Sequence, residues 1–206
     1  DFEQKLDKAT SSDIRFAMAV GEMNLSGGAD KDMLVSGTAG LPKEMTLEPH
    51  YSTPVNGHSS LLLEGNGVVI IPVNTNISPW IFDLNSEIPI ELSTELGVGQ
   101  MRIDLTGTNV NEITTEMGVG QTILTLPSGM DVDATVSGAV GELVIRVPAG
   151  AEVLIKMDKA VVGSSIPDGY TRNNGTIRSP EAKAGTNKIT IQVELAVGSI
   201  SIQEIE

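Results

Sequence analysis

Cysteine is absent from this chain of 206 residues, and its absence removes several classes of chemistry at once. Disulfide bonds, thiolate catalysis and cysteine-bound zinc or iron-sulfur centres are all excluded. The stability of the fold must therefore come from burial alone. The missing thiols do not fix the compartment, because envelope domains also fold without disulfides.

Cations, aromatic residues and long apolar runs are also scarce. Thirteen basic residues face 27 acidic ones, and this net charge of -14 opposes nucleic-acid binding, which needs clustered cations. No apolar run reaches the roughly 18 residues that span a bilayer. We expect no nucleic-acid partner and no direct membrane insertion of this chain. It opens on Asp1 rather than Met, which predicts a processed product whose upstream signal or anchor has been removed.

Glycine is plentiful, with 22 residues, and it recurs in a Val-Gly dipeptide. Four copies follow one another at intervals of 21, 21 and 22 residues and end at Gly99, Gly120, Gly141 and Gly163. Outlying copies end at Gly21 and Gly198. A period of about 21 residues predicts units that stack in register on a common core. We interpret each Val-Gly dipeptide as the corner of a coil.

Strand-like alternation flanks each corner. After the corners it predicts inward columns at Met101, Ile103 and Leu105, at Thr122, Leu124 and Leu126, and at Leu143, Ile145 and Val147. Before the corners, a second inward column is expected to include the corner valines Val98, Val119 and Val140. Turn signals at 106–107, 127–129 and 148–150 separate the units, so each unit is predicted to hold two strands.

These patterns predict an all-β fold: a β-solenoid-like stack of right-handed parallel coils with inserted hairpins. A β-sandwich is the alternative, since it too has short strands and glycine turns. Residues 1–12 are interpreted as an N-terminal tail or short helix, and 13–206 as a single repeat-built β domain with core repeats over 86–166. The excursions at 32–79 and 167–185 are expected to hold loops, and a hairpin is predicted around a turn at 64–67.

Two features are candidates for an interaction surface. The excursion at 167–185 is dense in turn formers and is predicted to be an exposed loop that presents Tyr170, Arg172 and Arg178. The other feature is a polar column that follows the corners, in which stacked side chains form a hydrogen-bonded ladder. Its members are Glu22, Gln100, Gln121 and Glu142. We favour a structural role for this ladder over glycan recognition.

No catalytic, cofactor-binding or metal-binding residue is predicted, and no cofactor is expected. The Gly-Val-Gly segments lack the third glycine and the following helix of a dinucleotide loop. Acidic residues give weak alternatives: a carboxylate pair for glycoside cleavage or a cation site. The former draws on Glu91, Asp104 and Glu112, and the latter on Glu95 with Glu116 or Asp131 with Asp133. A zinc site at His50 and His58 lacks a third ligand.

The Val-Gly units resemble the bacterial toast-rack domains, which are related to cell-wall-active antibiotic response proteins and adhesin-like proteins. The resemblance rests on GVGQMRIDLTG at 97–107, AVGSISI at 196–202, VGEMNLSGG at 20–28, and the segments 79–80 and 83–85. It covers most of the chain. It implies a domain displayed outside the bacterial membrane, at the cell surface or in the periplasm, and no catalytic residues come with it.

We therefore expect a non-enzymatic extracytoplasmic domain for envelope-stress sensing, adhesion or protein interaction, with a protein or a cell-wall component as its partner. One alternative is a carbohydrate-active β-solenoid enzyme. Another is a self-assembling surface protein that forms homo-oligomers by edge pairing of the terminal strand at 188–202.

Overall fold

The computed structural model describes residues 1–41, 45–67, 78–158, 161–180 and 186–206, and within them it contains fourteen strands and no helix. The strands are β1 (Phe2–Lys5), β2 (Ser11–Gly27), β3 (Met33–Ala39), β4 (Met45–Val55), β5 (His58–Gly67), β6 (Trp80–Leu84), β7 (Ile90–Asp104), β8 (Val110–Thr125), β9 (Val132–Pro148), β10 (Glu152–Met157), β11 (Val161–Ser165), β12 (Thr171–Asn173), β13 (Thr176–Arg178) and β14 (Lys188–Ile205). The all-β prediction is confirmed. The interpretation of residues 1–12 as a tail or short helix is wrong, because β1 and the start of β2 occupy that segment. The described residues include no helix that is long and apolar enough to cross a membrane.

Five long strands form the centre of the sheet and run parallel to one another. Their order is β2, β7, β8, β9 and β14. The pairing of β7 with β8, and of β8 with β9, advances by 21 residues, so Gly99 lies beside Gly120 and Gly120 beside Gly141. Gly21 and Gly198 extend the same row at its two ends. The repeat in the sequence is therefore a register between neighbouring strands.

The corner is a bend inside a continuous strand, so each unit is one bent strand and not the two predicted. In β7 the buried residues before the bend include Leu92 and Leu96, and those after it are Met101 and Ile103. Leu96 and Met101 are five positions apart and would face opposite sides of a regular strand. The alternation changes phase between them, and because Val98 is already half exposed the change precedes Gly99, whose φ is +146.

The corner valines point outward, which contradicts the inward column predicted before the corners. Val98, Val119 and Val140 are all about half exposed, whereas the columns predicted after the corners are buried. The prediction failed because the alternation was counted up to the glycine, although the chain begins to turn one residue earlier.

Only glycine fits the bend in the central strands. A β-carbon on Gly120 would lie 1.8 Å from the carbonyl oxygen of Gly99, and the φ of Gly120 is +148. A β-carbon on Gly99 or on Gly198 would likewise lie 1.8 Å from the carbonyl oxygen of the preceding glycine in the row. The close stacking of backbones at the bend is thus what requires the repeated glycine.

The bend divides the sheet into two arms that share the five long strands. The first arm precedes the bend and adds β4 and β5 beside β2, and β10, β13 and β12 beyond β14. The second arm follows the bend and adds β6, β3 and β1 beside β2, and β11 beside β14. One hydrophobic cluster joins the arms. Within it, the ring of Phe16 in the first arm lies 5.3 Å from that of Phe82 in the second.

The order of strands in the stack differs from their order in the sequence. β14 enters between β9 and the β10/β11 pair, so Gly141 is followed in the row by Gly198 and not by Gly163. Gly163 pairs with Ser199, and Val162 takes the register position beside Gly198. The inclusion of Gly163 as a fourth equivalent corner is therefore wrong. A strand with valine at that position cannot replace β14, because a β-carbon there would clash with the Gly141 carbonyl.

The terminal strand does not offer a free edge for self-assembly. β14 pairs with β9 over its whole length on one side and with β10 and β11 on the other. Edge pairing through 188–202, as expected above, is therefore wrong for this strand.

Two hairpins with Asn-Gly turns border the first arm. Asn56 and Gly57 join β4 to β5, and Asn174 and Gly175 join β12 to β13; all four have φ between 47° and 83°. This left-handed pair is typical of a two-residue hairpin turn. The hairpin predicted around 64–67 is wrong, since these residues belong to β5, and its second arm falls in 68–72, outside the described residues.

Candidate functional site: a groove on the outer face of the first arm

The outer face of the first arm carries a row of carboxylates that crosses four neighbouring strands. Register pairs Asp13 with Glu91, Glu91 with Glu112, and Glu112 with Asp133. All four are exposed, because they alternate with core residues such as Ile14 and Leu92. Neighbouring strands lie about 4.8 Å apart, so like charges face one another along the row.

A groove runs along this face beside β2, where the β4–β5 hairpin borders the row. It consists of two adjoining hollows of about 680 Å³ and about 360 Å³ that share Arg15 and Leu62. Asp13, Glu91 and His50 line the larger hollow. The groove therefore offers charges of both signs beside an apolar side chain, on a base made of sheet.

One ion pair and one histidine–carboxylate contact lie beside the groove. The Arg15 guanidinium donates to a Glu95 carboxylate oxygen at 2.7 Å. The His58 Nε2 atom lies 3.2 Å from Asp13 Oδ2, and its Nδ1 lies 3.0 Å from Ser11 Oγ. All these side chains are about half exposed or more, so water screens both pairs and their contribution to stability is small. Their main effect is to orient polar groups towards the groove.

Glu91 is the carboxylate of this row whose titration is clearly perturbed. Its partial burial, and then the nearby Asp13 and Glu112 carboxylates, raise the pKa of Glu91, while His58 lowers it. The groove therefore disfavours the ionised form of Glu91 and favours its neutralisation by a proton or a cation.

The predicted contact residues of the 167–185 excursion do not form an exposed loop. Tyr170 is buried in the core, with 8% of its surface exposed, and its hydroxyl donates to Glu204 at 3.1 Å. Burial and the Glu204 carboxylate raise the pKa of Tyr170 above its usual range. The segment forms the β12–β13 hairpin, which pairs with β10 and buries Ile177. The prediction overlooked the Asn-Gly turn, which makes the segment part of the sheet.

The two arginines of this hairpin are exposed but do not act together. Arg172 pairs with Ile177, whereas Arg178 pairs with Thr171, so the two side chains leave opposite faces of the hairpin. The Arg172 guanidinium donates to the hydroxyl of Ser164. The hairpin therefore presents neither an aromatic platform nor a cluster of cations. Residues 181–185 of the predicted excursion lie outside the described residues.

The polar column after the corners is stacked as its spacing predicts. Glu22, Gln100, Gln121 and Glu142 occupy neighbouring positions on β2, β7, β8 and β9. The Gln121 amide donates to Glu142 at 2.8 Å, and Glu22 accepts from Asn24 at 2.9 Å. These bonds link side chains within the surface and are consistent with a structural role.

The other acidic candidates do not form a single site. Asp104 lies in the second arm, away from Glu91 and Glu112, so the three do not share a face. Asp131 accepts a hydrogen bond from the Lys188 amide at 2.8 Å, which fixes the start of β14. Glu95 and Glu116 are register neighbours on the outer face of the first arm. Nowhere in the described part of the chain do three metal-ligating side chains converge.

The two histidines belong to neighbouring strands but are offset along them. His58 pairs with Val55, and His50 pairs with Leu62, four residues further along β5. That offset separates them by about 13 Å, too far for ligands of one zinc ion.

The sequence reasoning missed Arg15, Asp13 and Leu62 as members of one groove. β5 pairs in parallel with β2, and β4 returns beside β5 through the turn at Asn56 and Gly57. The Asn-Gly dipeptide was the available signal for this hairpin. The pairing with β2 joins residues 47 positions apart, for which the sequence carries no local signal.

Comparison with known families decides the identity of the fold. Residues 1–146 match the family model of the N-terminal domain of toast_rack, DUF2154. The chain belongs to the toast-rack family. The resemblance inferred from the Val-Gly units is thus confirmed.

One solved structure is similar to this toast-rack chain over nearly its full length. It is a crystal structure of a "putative cell adhesion protein" from Clostridium sporogenes ATCC 15579, with 25% sequence identity and a TM-score of 0.87. The alignment covers 99% of this chain and 97% of that one. A comparison with curated proteins finds no match.

Proposed function

We propose that this toast-rack domain is a non-catalytic adhesion module of the bacterial cell surface that contacts its partner through the outer groove of the first arm. The observation that carries the proposal is the nearly full-length similarity to the Clostridium sporogenes protein. Because both chains are covered almost completely, the similarity extends to the hairpins and the arms as well as to the central strands.

The chemistry of the groove supports binding. Arg15 supplies a cation, Asp13 and Glu91 supply acceptors, and Leu62 supplies an apolar contact. Such a mixed and open site suits a polar polymer, either an exposed peptide segment or a cell-wall glycan. The paired strands β2, β4, β5 and β7 hold these groups in fixed positions, which lowers the entropy cost of binding.

For the architecture, we propose a short β-solenoid-like stack whose coils connect in the right-handed sense. The 21-residue register between β7, β8 and β9 supports this proposal. The entry of β14 between β9 and the β10/β11 pair makes the last coils an exception to sequential stacking.

A bead-attachment assay tests the adhesion proposal. Beads coated with the purified domain are flowed over sacculi from a Gram-positive bacterium and over an epithelial cell layer, with albumin-coated beads as the baseline. We expect retention above baseline on one of these surfaces.

The substitution Arg15→Ala should weaken bead retention about tenfold, as expected for the loss of a charged hydrogen bond. The control Arg172→Ala removes an exposed arginine outside the groove and should leave retention unchanged. Retention at the albumin baseline on both surfaces would refute the proposal.

A second candidate function is cleavage of a glycan in the same groove. It is favoured by Glu91, whose pKa is raised beside Glu112, since glycoside cleavage needs one carboxylic acid that holds its proton. Release of reducing ends from a polysaccharide panel, abolished by Glu91→Gln, would establish it and displace the adhesion proposal.

A further inference from the structure

A row of half-exposed valines crosses the outer side of the bend, and we name it the valine ladder. Its members occupy the same register position on the five long strands: Val20, Val98, Val119, Val140 and Val197. The last four are 49%, 46%, 48% and 52% exposed, and they account for four of the six large hydrophobic side chains with high exposure in the described residues. Single exposed valines are ordinary, but a contiguous apolar row marks an interaction surface.

The bend itself does not require valine at these positions. The unusual φ belongs to the glycine after the valine, at Gly21, Gly99, Gly120 and Gly198, and so does the close backbone contact, at Gly99, Gly120, Gly141 and Gly198. Val98 contributes little to the core, since half of its surface is exposed. Any residue tolerated in a strand, such as threonine, would satisfy the local backbone equally well. The repeated valine therefore calls for an explanation outside the fold.

The bend segments themselves carry charge of a single sign, although Arg15, from outside them, pairs with Glu95. The five six-residue segments that form the bend, 17–22, 95–100, 116–121, 137–142 and 194–199, contain no lysine and no arginine. They contain the carboxylates Glu22, Glu95, Glu116, Glu142 and Glu194, all outside the core. An apolar row bordered by carboxylates is complementary to an apolar row bordered by cations.

The spacing of the valine ladder identifies the secondary structure that fits it. Successive valines are one strand apart, about 4.8 Å, so the five span about 19 Å. One face of an α-helix presents side chains at a rise of about 5.4 Å per turn, whereas an extended strand presents them about 6.7 Å apart. Over the five valines a helix drifts from the ladder by about 2.4 Å, whereas a strand drifts by about 7.6 Å, so the helix matches the ladder better. About 13 helical residues span the ladder.

A second copy of this chain does not fit the same surface. Facing two ladders would oppose five carboxylates on each side with no cation between them. The apolar area of the ladder is on the order of a few hundred Å², and a stable interface buries about 800 Å² per partner.

We propose that the valine ladder is a docking surface for a basic amphipathic α-helix of a partner protein. Leucine-like side chains along one stripe of the helix contact the valines, and lysines or arginines on both sides of that stripe meet the carboxylates. The surface lies on the bend and adjoins the outer groove, since Glu95 also lines the smaller hollow, but the five valines are not part of the groove lining. The valine contacts therefore do not depend on an adhesive partner in the groove.

The test uses the whole domain and a designed probe peptide of about 18 residues. The peptide is amphipathic, with a leucine stripe flanked by lysines, and a matched version carries glutamate in place of each lysine. Binding is measured by fluorescence anisotropy. We expect the lysine peptide to bind and the glutamate peptide to bind at least tenfold more weakly.

The triple variant V98T/V119T/V140T keeps the branched shape of the side chains and should weaken binding of the lysine peptide at least tenfold. The control V55T alters the most exposed valine, outside the ladder, and should leave binding unchanged.

Four results would overturn the proposal. The first is no binding of the lysine peptide at millimolar concentration, and the second is binding of that peptide to the triple variant as tight as to the native domain. The third is equal binding of the glutamate peptide, which would remove the role of charge. The fourth is a dimer of the native domain in sedimentation that the triple substitution dissociates, which would assign the ladder to a second copy. Unchanged thermal unfolding of the triple variant ensures that weaker binding reflects the surface and not the fold.

Discussion

Glycine at the bend combines two requirements that only the smallest residue meets at once. Gly120 has a left-handed φ, and the site of its missing side chain is occupied by the carbonyl oxygen of Gly99. Gly163 follows a valine in the same way, yet its φ is ordinary and nothing lies within 4 Å of the place where a β-carbon would be. The dipeptide is the same in both places, but the structural demand on it differs.

This contrast predicts unequal effects of one substitution. Gly120→Ala should lower the free energy of unfolding by about 3 kcal/mol or more, since it combines backbone strain with a clash against a backbone atom that cannot move aside. Gly163→Ala, the matched control, should change it by about 0.5 kcal/mol or less. Urea denaturation of both variants measures the difference. Equal losses would contradict the distinction between a stacked and an unstacked glycine.

Sequence reasoning succeeded for residues whose environment repeats and failed where the chain changes direction. Ile103, Leu124 and Ile145 were placed in one buried column because alternation holds from the bend to the end of each strand. Val98 was misplaced because alternation says nothing about where a strand bends. Tyr170 was taken for a loop residue, since its neighbours favour turns, but its ring is held by tertiary contacts that composition does not encode.

Among the elements, the parallel pairing of bent strands has an electrostatic consequence. Identical register aligns residues of the same type on neighbouring strands, so the carboxylates of Glu91 and Glu112 become neighbours without any local attraction between them. The repulsion between these carboxylates persists because the buried columns on the other face of the strands fix the register.

The acidic row therefore predicts a pH-dependent gain from neutralising Glu91. A raised pKa means that the folded state holds this proton more tightly than the unfolded chain, so the penalty is present above the titration range and disappears as the pH falls below it. At pH 7, Glu91→Gln should stabilise the domain by less than about 1 kcal/mol, or raise Tm by about 3 °C at most. Near pH 3 the two proteins should unfold alike.

Thermal unfolding at both pH values measures this effect. Glu3→Gln, on an edge strand away from the row, serves as a control for the loss of one negative charge. A gain for Glu91→Gln that persists at low pH would contradict the assignment to ionisation.

Hairpins were the elements that the sequence described least well. The Asn-Gly turns at 56–57 and 174–175 carry a clear local signal, but the glycine-rich segment at 64–67 carries a similar one and remains extended within β5. The pairing of β5 with β2 selects between them, and that contact is not local.

For the whole molecule, the fold class follows from the 21-residue period, but the order of the strands does not. β14 and β10 both carry alternating apolar residues suited to lie beside β9, and periodicity does not choose between them. The choice follows from one position, because β14 offers Gly198 beside Gly141, whereas β11 offers Val162 at the corresponding place. The difference between Gly198 and Val162 can be used only once the pairing register of the strands is known.

A stack held together by nearest-neighbour contacts should accept an additional unit. We predict that duplicating residues 108–128, which adds one 21-residue unit after residue 128, yields a domain that unfolds cooperatively with a Tm no lower than that of the parent. Circular dichroism and hydrogen exchange measure cooperativity and the number of added protected amides. A 20-residue duplication that omits the glycine equivalent to Gly120 is the control and should destabilise the domain. Non-cooperative unfolding of the 21-residue duplication would contradict the proposed solenoid-like architecture.

The outermost strands of the two arms have a further consequence for contacts between molecules. β12, β1 and β11 contain three, four and five residues, and the longer β4 carries Pro49 and Pro54, which cannot donate a backbone hydrogen bond. A stack of identical parallel units is in principle able to grow by recruiting the next molecule, as fibrils do. Short and proline-bearing borders remove the template for such growth. The repeat is regular in the interior, while its short and proline-bearing borders disfavour the edge pairing that polymerisation needs.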